Sequence, residues 1–365
     1  MESTQERLYD LEDKLLPNET QMKKGLGDLE EIGNKRIKLA FSKSIIERFD
    51  KMTIDDEDDW IACVKNKPQS FDSYVKSNPN KLYEERKTLY IQALDKSISP
   101  KFLDKWKEYC EAFYYGLPVK ILKNIDISEL NVKTRGKGKS IQYHALQILR
   151  NAKRLVPKDA YGMICILNKD LYHREDWNFV YGYADFKSRV GVFSFARYNP
   201  TFDGSESMTE DEVEEVTQFR AARVMWHELG HMFGIMHWTY YQCLMNGYMS
   251  ADEEGRRPCY LWCICLRKLH HIIGFDIQKR YEKLAEAWNI SKHFNSYKLW
   301  YNEIADDLKV IYEKGGCTEA YVPKYPSLKG KPVVRPMIKP RTTQANKAQK
   351  ETGIRKLIKK RKGNN

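Results

Sequence analysis

The run HELGHMFGIMH, from His227 to His237, constrains this chain more than any other stretch. The residues before it are apolar at helical spacing, so His227 and His231, four positions apart, are expected on one face of a helix. Two imidazoles placed in this way can both reach one metal ion, at the usual zinc to nitrogen distance of about 2.0 to 2.1 Å. Glu228 then lies beside the histidines but off the ligand face, where it is available as a base.

Gly234 and His237 extend this pattern. A glycine can end a helix in the left-handed conformation, so the chain can turn back and bring His237 to the same metal. Three neutral nitrogens leave one coordination position open, which is typical of catalytic zinc sites. Glu228 can take a proton from water in that position as the water attacks a peptide carbonyl, so the predicted chemistry is hydrolysis. The alternative is that these histidines only pack or are solvated.

The helix that carries the motif has signals at both ends. Thr209 and Glu212 have the spacing of a capping box, and Gly234 follows the last turn, so a zinc helix is predicted from about residue 209 to 234. An apolar stripe on the side away from the histidines predicts packing into a core. It consists of Phe219, Ala222, Trp226, Leu229 and Phe233.

The long pattern HExxHxxGxxH, followed by Met245, is that of the metzincin clan of zinc peptidases. Within this clan the chain resembles the archaemetzincins, and their eukaryotic branch in particular, over residues 68–275. The resemblance rests on Cys243 and Met245, which follow the histidine motif, and on several longer runs. These are YIQ at 90–92, FYYGLPVK from 113, DLYHREDWNFVYG at 170–182, GVFSFARY at 191–198, RRP at 256–258 and ICLRKL at 264–269.

The resemblance implies an α+β fold in which a mixed twisted sheet, its helices and the zinc helix form an upper half. The residues after Gly234 would form a smaller C-terminal subdomain, with the cleft between the two. The strand at 191–196 is expected to border this cleft, where an extended peptide could add as an antiparallel strand. The polar run at 251–257 is predicted as a loop. Short peptides, attacked at their amino terminus, are the implied substrates, and the sequence leaves aminopeptidase and endopeptidase action open.

The family's four cysteines resemble the ligands of a second, structural zinc, and this chain keeps only two of them. Cys243 and Cys265 occupy matching positions, whereas Trp238 and Trp262 replace the other two cysteines. Two thiolates cannot close a tetrahedral zinc site. A second zinc therefore needs other ligands or does not bind.

Three hypotheses remain for this second site. Cys259 and Cys263 could join the two retained cysteines in a shifted zinc site. Alternatively, the site is lost and the two indoles fill its space by apolar packing. In the third hypothesis both tryptophans come from codons that the source organism reads as cysteine.

Composition divides the chain into three segments. Residues 1–66 are charged and are predicted as a helical N-terminal extension without chemistry, residues 67–315 as the catalytic domain, and residues 316–365 as a linker with a basic disordered tail. The tail after residue 328 carries a charge equal to the whole net charge of +12. Its run KLIKKRK at 356–362 predicts a contact with nucleic acid or another acidic partner, a nuclear import signal, or solubility alone.

No apolar run reaches about 18 residues, and the first residues lack the pattern of a signal peptide. No membrane contact is therefore expected, and the expected compartment is the cytoplasm, with the nucleus as a second one. The favoured function is a zinc metallopeptidase that acts on peptides or proteins. The alternative from another class is a non-catalytic zinc protein that binds its partners through the basic tail.

Overall fold

The computed structural model describes residues 18–63, 68–202, 208–288, 295–317, 319 and 325–326. The basic run at 356–362 and the first residues of the N-terminal extension lie outside these ranges. The strands of the described residues are β1 Thr88–Ala93, β2 Val119–Ile121, β3 Thr134–Arg135, β4 Gln142–His144, β5 Ala160–Leu167, β6 Asp170–Tyr172, β7 Gly182–Asp185 and β8 Val190–Ser194.

A five-stranded mixed sheet forms the centre of the fold, in the order β2, β1, β5, β8, β7. The first four strands are parallel and β7 is antiparallel to β8. The strand β5 is buried along its whole length, and its successive side chains enter two different cores. Ile164 packs in the larger core on one face and Met163 in the smaller core on the other. A second, three-stranded sheet has the order β3, β4, β6.

Neither edge strand of the five-stranded sheet is the one to which the sequence suggests that a peptide adds. β8 lies inside the sheet, because β5 pairs with one of its sides and β7 with the other. Residues 186–189 fold β7 back beside β8, and this hairpin covers the edge that an extended peptide would need. The expectation that an extended peptide pairs with the strand at 191–196 is therefore wrong, and the edge strands of this sheet are β2 and β7.

Helices surround the sheet and make the fold α+β, as expected. The α-helices of the described residues are Glu19–Leu26, Lys35–Leu39, Lys43–Ile46, Trp60–Cys63, Phe71–Lys76, Pro100–Phe113, Ala145–Ala152, Glu210–Met232, Ala251–Arg256, Cys263–Ile273, Ile277–Ala287 and Asn295–Lys314. Short 3-10 helices occupy Ile127–Leu130, Gly138–Ser140, Lys153–Leu155 and Ala196–Tyr198. Among these helices, none is long and apolar enough to cross a membrane.

The helix Glu210–Met232, called the motif helix below, begins where the sequence predicts. The Thr209 hydroxyl accepts a hydrogen bond from the Glu212 main-chain N–H (3.4 Å), and the Glu212 carboxylate accepts one from the Thr209 N–H (3.0 Å). This capping box satisfies donors that the first helical turn would otherwise leave unpaired.

The prediction of a loop at 251–257 is wrong, because residues Ala251–Arg256 form a helix. Ser250 caps this helix by accepting a hydrogen bond from the Glu253 N–H (3.1 Å). The charged side chains are paired inside the protein: Glu253 binds Arg257, and Glu254 binds Arg223 at 3.4 Å. Charge alone therefore does not indicate exposure here.

Candidate metal centre

The motif helix is held rigidly by aromatic contacts on the side away from its histidines. Trp226 is stacked between Phe113, at 4.8 Å between ring centroids, and Trp288, at 5.4 Å. Phe233 stacks on Tyr161 at 4.7 Å. The predicted stripe therefore packs in the main core, and its burial fixes the direction in which the opposite face of the helix points.

Gly234 ends the motif helix in the left-handed conformation that the sequence predicts, with a φ of +82°. Its N–H donates to the carbonyl of His231 (2.9 Å), and the N–H of Ile235 donates to the carbonyl of Gly230 (3.1 Å). These two bonds form a Schellman motif, which reverses the chain. The reversal brings His237 back towards the helix.

The three histidines of the motif converge. The Nε2 atom of His227 lies 3.1 Å from Nε2 of His231 and 3.1 Å from Nε2 of His237. Main-chain carbonyls hold the other nitrogen of two rings: Nδ1 of His227 lies 2.7 Å from the Leu244 oxygen, and Nδ1 of His231 lies 2.7 Å from the Ile235 oxygen. The structure therefore brings together the three residues that the spacing selects.

The protonation of these rings fits a metal ion. A carbonyl oxygen can only accept, so Nδ1 of His227 and of His231 carries the hydrogen and each Nε2 carries a lone pair. Two lone pairs only 3.1 Å apart repel each other unless a cation lies between them. Nitrogens bound tetrahedrally to one zinc ion would be about 3.3 Å apart. Burial lowers the pKa of His227 to about 3, which keeps its ring neutral, as a ligand must be.

Glu228 and Tyr248 lie next to this group. The Glu228 side chain is partly exposed, and its removal from bulk water raises its pKa to about 7. The Tyr248 ring lies 5.6 Å from the His227 ring between centroids. Burial, and after it the charge of Glu228, raises the pKa of Tyr248, so its hydroxyl stays protonated and can donate a hydrogen bond.

The turn that contains Met245 is built tightly against the motif helix. A Cβ on Gly230 would lie 2.5 Å from the Met245 sulfur, so the glycine makes room for this side chain. Asn246 holds the turn from inside, because its side chain accepts from the Cys243 N–H (2.7 Å) and donates to the Trp238 carbonyl (3.0 Å). Asn246 has no motif that predicts this role, although a buried amide beside Met245 is suited to bind main-chain groups.

Comparisons with known proteins identify the family. Archaemetzincin-2 of Rattus norvegicus is 34% identical over 266 residues, which are 65% of this chain and 74% of that protein. Archaemetzincin-2 of Mus musculus is 35% identical over the same shares. The chain belongs to the archaemetzincin family. This membership confirms the resemblance seen in the motifs and places the chain in the class of zinc metallopeptidases.

More distant similarities extend this comparison. Archaemetzincin-1 of Homo sapiens is 31% identical to this chain over 254 residues. These residues are 62% of this chain and 51% of the human protein. Two solved structures, a zinc-dependent peptidase of Methanocorpusculum labreanum and archaemetzincin of Methanopyrus kandleri, are 20% and 23% identical to it. They cover 50% and 52% of this chain and 99% and 97% of their own, with TM-scores of 0.41 and 0.39. No family model matches the chain.

Four cysteines of this archaemetzincin after the motif are buried but do not form a cluster of four, namely Cys243, Cys259, Cys263 and Cys265. Cys243 and Cys265 form a hydrogen bond with each other. Within the part of the chain that the structure describes, only the three histidines form a group of three or more ligands whose donor atoms lie within 4.8 Å of one another. The sulfurs of Cys243, Cys259, Cys263 and Cys265 do not all lie within that distance of one another, and the shifted set stays a prediction.

The two tryptophans at the family's cysteine positions occupy the space beside Cys243. Trp238 stacks on Trp262 at 5.2 Å between centroids, and Trp262 stacks on Tyr241 at 4.2 Å. The main-chain N–H of Trp262 donates to the Cys243 sulfur (3.3 Å). These contacts favour apolar packing by the indoles, while both buried indole N–H groups find no acceptor among the described residues. Reinterpretation of both tryptophans as cysteine stays a hypothesis, which peptide mass spectrometry on the native protein tests.

Three further residues near the site have no role that the sequence predicts, although Lys268 lies in the run ICLRKL at 264–269. Lys268 is fully buried and donates to the Gln69 carbonyl at 2.5 Å. The Gln69 side chain binds the loop before His237, and Trp60 packs on the His237 ring at 5.1 Å between centroids. No local pattern identifies these residues, because each comes from a part of the chain remote from the residue that it contacts.

Proposed function

We propose that this archaemetzincin is a zinc-dependent peptidase in which His227, His231 and His237 hold the metal and Glu228 is the general base. One observation carries the proposal: three imidazole Nε2 atoms converge, and main-chain carbonyls hold Nδ1 of two of the rings. Such carbonyls fix the orientation of a ring and make its opposite nitrogen a better ligand. A pair of packed or solvated histidines needs neither feature.

The residues around this centre suit hydrolysis. A zinc ion held there would act as a Lewis acid, which activates water and polarises the substrate carbonyl. Glu228 takes a proton from the attacking water onto a carboxylate oxygen and gives it to the nitrogen of the leaving amine. A carboxyl group whose pKa is about 7 can perform both transfers near neutral pH. We further propose that Tyr248, whose ring lies 5.6 Å from the His227 ring, donates its hydroxyl hydrogen to the substrate oxygen as that oxygen becomes negative.

The free edge of β7 is the surface along which we place an extended peptide. The Ser194 N–H donates to the Tyr181 carbonyl (2.8 Å), and antiparallel pairing then directs the main-chain groups of Gly182 and Ala184 away from β8. These groups can pair with a peptide as a further strand. Because Tyr181, just before β7, and Glu228 both lie close enough to Tyr248 to raise its pKa, such a peptide would run beside the histidines. Pairing through the main chain selects peptides but not a particular sequence.

A substitution of Glu228 tests the proposal. Glu228→Gln should keep about one zinc ion per chain and lose peptide cleavage by about 100-fold or more, because a general base contributes at least that much. Glu210→Gln, in the first turn of the same helix, is the matched control and should cleave at the wild-type rate. Metal content is measured on the purified chain, and cleavage by mass spectrometry of a mixture of short peptides. Equal cleavage by Glu228→Gln and the wild type would disprove the role of Glu228.

The finer parts of this proposal have separate tests. Aminopeptidase action on short peptides predicts that an N-acetylated peptide is not cleaved while its free-amine counterpart is. A wild-type chain that binds zinc but cleaves neither peptide would favour the alternative, a non-catalytic protein that binds nucleic acid or another acidic partner through residues 316–365.

Localisation to the cytoplasm, or to the nucleus through the run at 356–362, is also proposed and is tested by imaging a tagged chain with and without that run.

A further inference from the structure

We propose that Trp60, carried by an N-terminal strap of residues 50–63, is a positioning residue for the metal ligand His237. The inference rests on the zinc site proposed above. It gives a role to a segment whose sequence shows no chemistry.

His237 differs from the other two histidines in what holds its ring. Carbonyl oxygens of Leu244 and Ile235 accept from Nδ1 of His227 and His231. Among the described residues, no carbonyl does the same for Nδ1 of His237. A ligand without such a bond can rotate about its side-chain torsions, and each orientation that turns Nε2 away from the metal weakens binding.

The Trp60 ring takes the place of this missing bond. The Trp60 and His237 rings lie 5.1 Å apart between centroids, with their planes at 86°. This is an edge-to-face contact, one of the two arrangements that aromatic pairs prefer. Turning the imidazole about its long axis or swinging it away would break the contact. The indole therefore favours the orientation in which Nε2 of His237 faces Nε2 of His227, at 3.1 Å.

Trp60 can act in this way because it is itself immobilised. Its side chain is 1% exposed, and its main-chain N–H donates to the Glu253 carboxylate (2.8 Å). On the other side it lies against Gly247, where a Cβ would come within 2.3 Å of the indole carbons. The indole is thus confined between the main chain that follows Met245 and the imidazole of His237.

The strap is attached to both sides of the Met245 turn. Before the turn, the Gln242 N–H donates to the Asp50 carbonyl (3.0 Å). After it, the Asp59 carboxylate binds the Arg256 guanidinium at 2.6 Å. Trp60 also belongs to a small apolar cluster of its own, separate from the main core. The cluster comprises Met52, Ile54, Trp60 and Ile61, with Ala62 and Met249 packed on it.

Substitutions of Trp60 in the full-length chain test this role. Trp60→Leu fills much of the space without a ring, whereas Trp60→Phe restores an aromatic face. Because an aromatic contact of this kind is worth a factor of about 3 to 10 in an equilibrium constant, Trp60→Leu should weaken zinc binding by about that factor. Trp60→Phe should bind zinc nearly as tightly as the wild type. Affinity is measured by competition with a chromophoric chelator.

A spectroscopic readout and a control separate positioning from general loosening of the strap. With Co²⁺ in place of zinc, Trp60→Leu should change the visible absorption bands, which report ligand geometry, and Trp60→Phe should restore them. Ile61→Ala, in the same cluster, should lower stability but leave the affinity and the bands as in the wild type. Wild-type affinity and bands in Trp60→Leu, or an equal change in Ile61→Ala, would overturn the inference. Metal binding is read without peptide cleavage, so absent peptidase activity would count against the proposed function alone.

Discussion

Gly247 occupies a position at which a side chain would collide with Trp60. A Cβ there would lie 2.3 Å from two ring carbons of the indole, and a rigid buried ring cannot give way as a flexible side chain would. No φ in the left-handed region requires this glycine. Its role is therefore to allow the close approach of the strap to the turn.

Substitution of this glycine should accordingly be costly. We expect Gly247→Ala to lower the free energy of unfolding by about 1 to 3 kcal/mol, the range for overpacking a core. Gly33→Ala is the matched control, because a Cβ at Gly33 would meet nothing within 4 Å, and it should leave stability unchanged or raise it by less than about 1 kcal/mol. Urea denaturation measures both values. An unchanged unfolding midpoint in Gly247→Ala would show that the indole can shift to make room for the added methyl group without a loss of stability.

Gln69 clamps the loop that leads to His237. Its side chain donates to the Gly234 carbonyl (3.2 Å) and accepts from the Met236 N–H (3.1 Å). We expect Gln69→Ala to weaken zinc binding by up to about 30-fold, because two bonds worth about 1 kcal/mol each hold this loop. Asn80→Ala, which removes bonds to the Phe186 and Met232 carbonyls nearby, is the control and should change affinity less. Chelator competition gives both affinities, and equal losses would argue against a specific clamp.

Among the elements, the motif helix is stabilised at its start by the Thr209 cap. Thr209→Ala should lower the free energy of unfolding by about 1 kcal/mol, the usual value for losing an N-cap. Thr209 lies about 27 Å along the axis from His227, so zinc binding should not change. Ser42→Ala is the control: Ser42 precedes the short helix Lys43–Ile46, but its side chain makes no capping hydrogen bond to the main chain of that helix. Calorimetry should show a lower unfolding temperature for Thr209→Ala alone. Loss of zinc in this variant would contradict the expectation that the cap does not affect the metal site.

Elements with local signals are the ones that the sequence predicts well. The cap at Thr209, the left-handed Gly234 and the apolar stripe together predict the motif helix to within about two residues at each end. The edge strand has no such signal. The helix Ala251–Arg256 has one, because Ser250 and Glu253 share the spacing of Thr209 and Glu212, but its run of charged residues favours a loop. Which strand lies at the edge depends on pairing between β5, β7 and β8, and the helix contains buried charges whose partners are distant in sequence.

At the scale of the whole molecule, the histidine centre is predictable and its supports are not. The spacing of His227, His231 and His237 is enough to predict their convergence, because helix geometry and one left-handed glycine bring them together. Trp60 is 177 positions before His237, and nothing in a single sequence links the two. Contacts of this length become visible only when the chain is folded.

The N-terminal residues are also joined to the far end of the chain through Arg36. The Arg36 guanidinium binds the Asp276 carboxylate (3.1 Å) and the Cys317 carbonyl (2.6 Å), and it covers the Tyr312 ring at 3.8 Å. Both side chains of the ion pair are almost fully buried, with exposures of 10% and 2%. Removal of the cation would leave the Asp276 charge inside the protein without its guanidinium partner.

Because such a charge is costly, Arg36→Ala should lower the free energy of unfolding by about 3 kcal/mol or more. Arg48→Ala is the matched control, since Arg48 also joins the N-terminal residues to the helix Asn295–Lys314, through Asp307 at 2.6 Å. That pair is exposed, with 43% of the Arg48 side chain accessible, so its loss should cost less than about 1 kcal/mol. Urea denaturation, followed by tryptophan fluorescence, measures the two costs under identical salt. Comparable costs for the two variants would mean that burial of the Arg36 pair contributes nothing to how the N-terminal residues are held.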